Sequence, residues 1–133
     1  MPFPISETEL QKTETKLGLR FPEAFRRAMI VMNGGEILTD EDQWDLHPFL
    51  DTSEQKRISR TCNDIIKETE AAKGWEIFPR EAIAIASNGC GDHLFLLPSE
   101  ADKKILGDQI YVFWHDGSRV EKFAESFGEL NKE

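Results

Sequence analysis

The spacing of apolar residues changes once along this chain, at Gly74, and that change limits the folds open to it. Before Gly74 the apolar side chains recur at helical intervals. After it come short runs of strand character at 82–86, 94–97, 110–114 and 119–123. The intervals between these runs are too short for helical crossovers, so neighbouring strands must run antiparallel. Helices first and closely spaced strands after predict an α+β domain, with a mainly antiparallel central sheet and N-terminal helices packed beside it. The 133 residues suffice for one such domain, spanning 1–133, and show no internal repeat or linker.

Local signals place the elements. Ser6 and Glu9 have capping-box spacing, Ile5 and Leu10 stand at the hydrophobic-staple positions, and Gly18 suits a left-handed stop, so a helix is predicted over Glu7–Leu17. Pro22 fits the first position of a second helix. Its stripe is Phe21, Phe25, Ala28, Met29 and Met32, and it ends at Asn33-Gly34-Gly35. Thr52 or Ser53 caps a third helix that buries Ile58, Cys62, Ile65 and Ile66 and stops at Gly74. Between the second and third helices, Ile37-Leu38, residues 44–46 and Phe49-Leu50 read as short strands or turn segments. Residues 88–92, with two glycines, form a turn, and Asp116-Gly117 is a hairpin signal. Phe123 and Phe127 suggest a last short helix over 124–130.

Charge excludes several functions. Twenty-five acids against sixteen bases leave a net charge of −9, which opposes binding to nucleic acid or to an anionic membrane. It favours capture of a basic protein partner. No run approaches the length of a membrane-spanning helix, and the first residues lack the features of a signal peptide. Cys62 and Cys90 are too few for a disulfide framework, and each reads as a small, mostly buried side chain. A reduced, cytoplasmic protein is expected.

Catalytic signals are weak. His47, His93 and His115 show no metal-ligand spacing with one another or with the cysteines, so no metal is expected. No phosphate loop is present, and no cofactor is expected. Cys90 with His93 or His115 as base gives the one enzyme alternative, a small hydrolase. The more distinctive feature is acidic. Glu36, Asp40, Glu41, Asp42, Asp45, Asp51 and Glu54 follow one another with no base between Arg27 and Lys56. Glu36, Asp40, Glu41, Asp42 and Asp45 are candidates for a partner-binding surface. Trp44 in their midst is either its aromatic anchor or part of the core.

Several segments together resemble the SUKH superfamily, the Smi/Knr-like group. Leu17-Gly18-Leu19 followed by Phe21-Pro22-Glu23-Ala24-Phe25 is similar to the opening of that family, and Asn33-Gly34 stands where the family carries Asn-Gly. Residues 83–86, then Gly89-Cys90-Gly91-Asp92 and Leu94-Phe95-Leu96, resemble its strand–turn–strand. Residues 110–115, ending in Trp114-His115, resemble a later strand, and 123–127 the closing segment. Leu97 departs from the pattern, since many members carry Asp there. The resemblance implies an α+β fold with a mixed, mainly antiparallel sheet. It also implies a non-enzymatic immunity protein that neutralises a cognate toxin, often a nuclease or deaminase, by one-to-one binding. Knr-like members imply the alternative of a housekeeping interaction regulator. Pro22, Asn33, Gly34, Gly91, Asp92, Trp114 and His115 are the family-motif positions, expected to serve fold architecture first.

Overall fold

A computed structural model describes residues 2–39, 42–74 and 78–132. The order of elements is α1 (Glu7–Leu17), α2 (Glu23–Val31), β1 (Glu36–Leu38), β2 (Gln43–Leu46), α3 (Gln55–Arg60), α4 (Ile65–Lys73), β3 (Ile83–Ser87), β4 (His93–Leu96), β5 (Ile110–Trp114), β6 (Arg119–Ala124) and a 3-10 turn at Phe127–Glu129. The six strands form one sheet in chain order, with every neighbouring pair antiparallel. The α+β class and the antiparallel sheet are thus as expected.

α1 begins and ends as its caps dictate. The Ser6 hydroxyl accepts the Glu9 N–H at 3.2 Å, and Gly18 adopts φ 69°. The reciprocal half of the capping box is replaced, because the Glu9 carboxylate accepts from the Thr52 N–H and hydroxyl instead. α1 is held to α2 by Arg26, which is buried with its guanidinium on Glu14 at 3.1 Å and on Glu7. Pro22 is the N-cap of α2 rather than its first helical residue, and α2 stops at Val31, two residues before Asn33.

The predicted third helix is two. α3 ends at Arg60, and α4 starts afresh at Asp64, whose carboxylate caps the Lys67 N–H at 3.1 Å. A capping carboxylate at an extended residue marks a helix start, which an apolar stripe alone does not reveal. Ile58 is therefore only half-buried and Cys62 is exposed, while Ile65 is fully buried. The predicted last helix is also corrected, since β6 continues to Ala124 and only the 3-10 turn follows.

The sheet has two different faces. Trp44, Leu46, Ile83, Ile85, Leu94, Leu96 and Val112 pack against α1, α2 and the 3-10 turn in the main core. On the other face Ala84, Phe95 and Phe113 form a smaller cluster with Phe78 and with Ala72 of α4. The Thr69 hydroxyl of α4 accepts the Ala84 N–H at 2.9 Å, closing the side of β3 that β2 leaves open. The C-terminal segment covers the outer edge of β1, where the Leu38 N–H donates to Asn131 and Ile37 bridges Lys132.

Candidate functional site

An up-and-down sheet of this kind places alternate connections at one end. The β1–β2, β3–β4 and β5–β6 connections therefore come together, through Thr39 and Asp42 in the first, 88–92 in the second and 115–118 in the third. Gly89, Gly91 and Gly117 take positive φ there, which is what such turns require. In the first turn Thr39 and Asp42 close on each other through backbone and hydroxyl bonds of 2.9–3.0 Å. In the second, the Asn88 side-chain oxygen Oδ1 accepts the Cys90 N–H at 2.9 Å.

Two side chains of the second turn, Asn88 and Asp92, join all three. The Asn88 amide donates to Asp42 at 3.0 Å and to Asp92 at 2.8 Å. Asp92 in turn accepts the His115 N–H at 2.9 Å and lies 2.7 Å from the His115 ring nitrogen Nδ1. Asp92 is buried. Burial raises its pKa, but the bonds from Asn88 and from the backbone and ring of His115 outweigh that, and its pKa is lowered. It stays ionised as the internal clamp of this end of the sheet. The His115 ring lies against Gly91, where an added Cβ would meet it at 3.3 Å. Gly91, Asp92 and His115 are therefore one structural unit.

The acidic residues are partly gathered at the same end. Asp42 is joined to the clamp through Asn88. Glu36 and Asp45 stand directly opposite each other on β1 and β2, on the sheet face away from α1 and α2. Neither forms an ion pair among the described residues. Like charges in register across two strands repel, so this arrangement costs stability when nothing covers it. The same cross-strand row continues through Ser87, His93 and Phe113 to Val120, which is 48% exposed on β6. Asp40 and Glu41, the other two predicted acids, lie outside the described residues.

Trp44 is not an interface anchor. It is fully buried, on the main-core face, between Trp114 and Phe123. Strand alternation explains this, because Asp45 and Trp44 are neighbours and must point to opposite faces. The remaining motif residues serve architecture. Asn33 exchanges two 2.8 Å bonds with the Phe49 backbone, Gly34 takes φ 126° against Pro2, Pro22 caps α2, and the Trp114 indole donates to Glu121 at 3.0 Å. Both cysteines are exposed, contrary to the reading from their size. Among the described residues no group of three or more His, Cys, Asp and Glu side chains is placed to hold a metal. Among the described residues no helix is long and apolar enough to cross a membrane.

Sequence reasoning missed Asn88, the centre of the network. Its signal was an Asn opening a Gly-rich turn four residues before an Asp, a spacing at which a side chain can bridge a turn.

The arrangement of helices, meander and motif turns can be compared with known families. Residues 4–133 match the model of the SMI1 / KNR4 family (SUKH-1). The chain belongs to that family. No curated protein matches it. The SUKH-1 family is generally non-catalytic, and membership supports an immunity-protein-like role at the level of the family. The residues expected to carry the SUKH-1 motif include, in this structure, the turn-forming and clamping residues described above.

Proposed function

We propose that this SUKH-1 protein is a non-enzymatic immunity protein that binds one cognate toxin, of the nuclease or deaminase type, and blocks it in a one-to-one complex. The observation that carries the reading is the Glu36–Asp45 pair, two carboxylates held in register with no ion-paired base among the described residues. A Lys or Arg of a partner placed between them would turn a local cost into attraction. A nuclease must be basic to hold phosphate, and an acidic surface covers such a site by presenting charge of the same sign as its substrate.

The binding surface in this reading comprises Glu36, Asp42 and Asp45, with Asp40 and Glu41 directly before Asp42 in the sequence. Asp92 and His115 support it from below and make no direct contact. The net charge of −9 steers the encounter from a distance, so association is fast and weakens with salt. The protein acts in the cytoplasm, where two exposed thiols stay reduced. The test is capture from native lysate at low and moderate salt, with mass spectrometry of what is held. A single basic protein with a nuclease-like or deaminase-like domain at one-to-one stoichiometry, whose toxicity is suppressed on co-expression, supports the reading. Retention of ordinary cellular proteins without toxicity moves the function to a housekeeping regulator.

A further inference from the structure

At the far ends of β1 and β2, away from the hairpin turns, an open pocket of about 350 Å3 lies between the N-terminal segment, Gly34-Gly35 and α3. Its size is that of a site for one small molecule or one amino-acid residue. Phe3, Leu46 and Pro48 give it an apolar wall, and Arg57 and Arg60 reach it from α3.

The charges around it are unequal. Arg57 is committed to the fold, donating to Asp51 at 3.2 Å and to the Pro4 carbonyl at 2.8 Å, with Glu54 at 3.4 Å. Asp51 is 2% exposed, and its carboxylate accepts from the Ser53 N–H and hydroxyl as well as from Arg57. That carboxylate is used up. Lys56, Arg57 and Arg60 all stand over the Phe3 ring, at 5.4, 4.6 and 4.8 Å from its centroid. Neither Lys56 nor Arg60 is ion-paired among the described residues. Two unneutralised cations converge on one aromatic ring at the mouth of a pocket, in a chain whose net charge is −9. Gly35 also lines the pocket, and its N–H has no acceptor among the described residues.

We propose that this pocket binds a monocarboxylate with an apolar body. The apolar part lies against Phe3, Leu46 and Pro48. The carboxylate meets the planar fork of Arg60, whose geometry matches two carboxylate oxygens, and the Gly35 N–H. A single negative charge fits better than a dianion, because the buried Asp51 carboxylate is close by. The ligand is either a free small acid or the C-terminal residue of a protein. The pocket adjoins the Glu36–Asp45 pair, since Gly35 and Leu46 of its wall are their chain neighbours, but the proposal uses neither carboxylate and its test does not depend on them.

The test is an amide-resolved NMR titration with two probes, 3-phenylpropionate and a pentapeptide ending in a free Phe carboxylate, each beside its C-terminal amide. Saturable shifts at Gly34, Gly35 and Thr61 are expected with the acids in the millimolar range, and much weaker ones with the amides. Arg60→Gln, at an exposed position, should weaken acid binding about tenfold or more. The tighter of the two acids identifies the source, small molecule or chain end. No saturable shift with either acid, equal binding of the amides, or an unaffected Arg60→Gln protein would each overturn the proposal.

Discussion

Trp44 of β2 and Phe123 of β6 meet edge to face with 5.7 Å between ring centroids, although three strands separate them in the sheet. In a flat sheet β2 and β6 would lie about 19 Å apart, at the usual strand spacing. The contact therefore measures how strongly the sheet curls around the main core. Trp44→Ala should cost about 3–5 kcal/mol in urea denaturation, because it empties the point where the two halves of the curl touch. Trp44→Phe should stay within about 1.5 kcal/mol, since it keeps an aromatic ring and removes an indole N–H that has no partner among the described residues.

His47 makes the fold sensitive to mild acid. Burial is the main cause, with His93 adding to it, and its pKa falls from 6.5 to about 4. The unfolded chain takes up a proton below pH 6.5, whereas the folded protein resists until about pH 4. Stability is therefore lost as pH falls through that window. Burial lowers the pKa of His93 as well, with the same sign. His47→Phe should flatten the stability–pH curve between pH 6.5 and 4 without abolishing its slope. An unchanged slope in denaturation across that range would show that His47 is not the group responsible.

Glu9 acts in a lower window. Burial raises its pKa, but bonds from Lys12 and from the Thr52 hydroxyl and N–H bring it down to about 2 from 4.5. Its contribution is complete above pH 4.5 and is lost as pH falls toward 2. Glu9 is 6% exposed, but its partner Lys12 is more than half exposed, so solvent screens that part of the attraction. Glu9→Gln should destabilise the protein by roughly 2–3 kcal/mol at neutral pH, with the difference shrinking below pH 4.5. A pH-independent difference would mean that Glu9 acts by shape alone.

Gly91→Ala tests the structural role of the motif turn. Gly91 has φ 97°, and a Cβ there would press on the His115 ring at 3.3 Å. A loss of about 1–2 kcal/mol is expected from the backbone conformation. The His115–Asp92 bond should weaken as well, visible as a shift of the His115 ring signals in NMR. Those signals staying in place would separate the turn from the clamp.

Much of the fold was readable because its signals are local. Ser6 and Gly18 bound α1, and strand runs rich in branched and aromatic residues set β5 and β6, with the Asp116-Gly117 turn between them. The break between α3 and α4 was misread because Ile58, Cys62, Ile65 and Ile66 keep helical spacing across it. Asp64 ends that continuity by capping a new helix, and the Ile65 N–H donates to the Pro48 carbonyl instead of continuing α3. The site was legible only as residue types. That Asp42 and Asp92 share one Asn, or that Glu36 and Asp45 oppose each other, depends on strand register, which sequence spacing alone leaves open. The same holds for Trp44, which sequence spacing allows in the core or at an interface and which the register of β2 sets in the core.

The most direct test of the acidic docking surface compares the wild-type protein with Glu36→Lys/Asp42→Lys/Asp45→Lys as bait in native lysate at low and moderate salt. A basic toxin held one-to-one by the wild type, released by added salt, and captured about tenfold more slowly by a variant that is still folded would agree with the account. Capture of the same toxin by the folded variant, at the same rate and with the same dependence on salt, would contradict it.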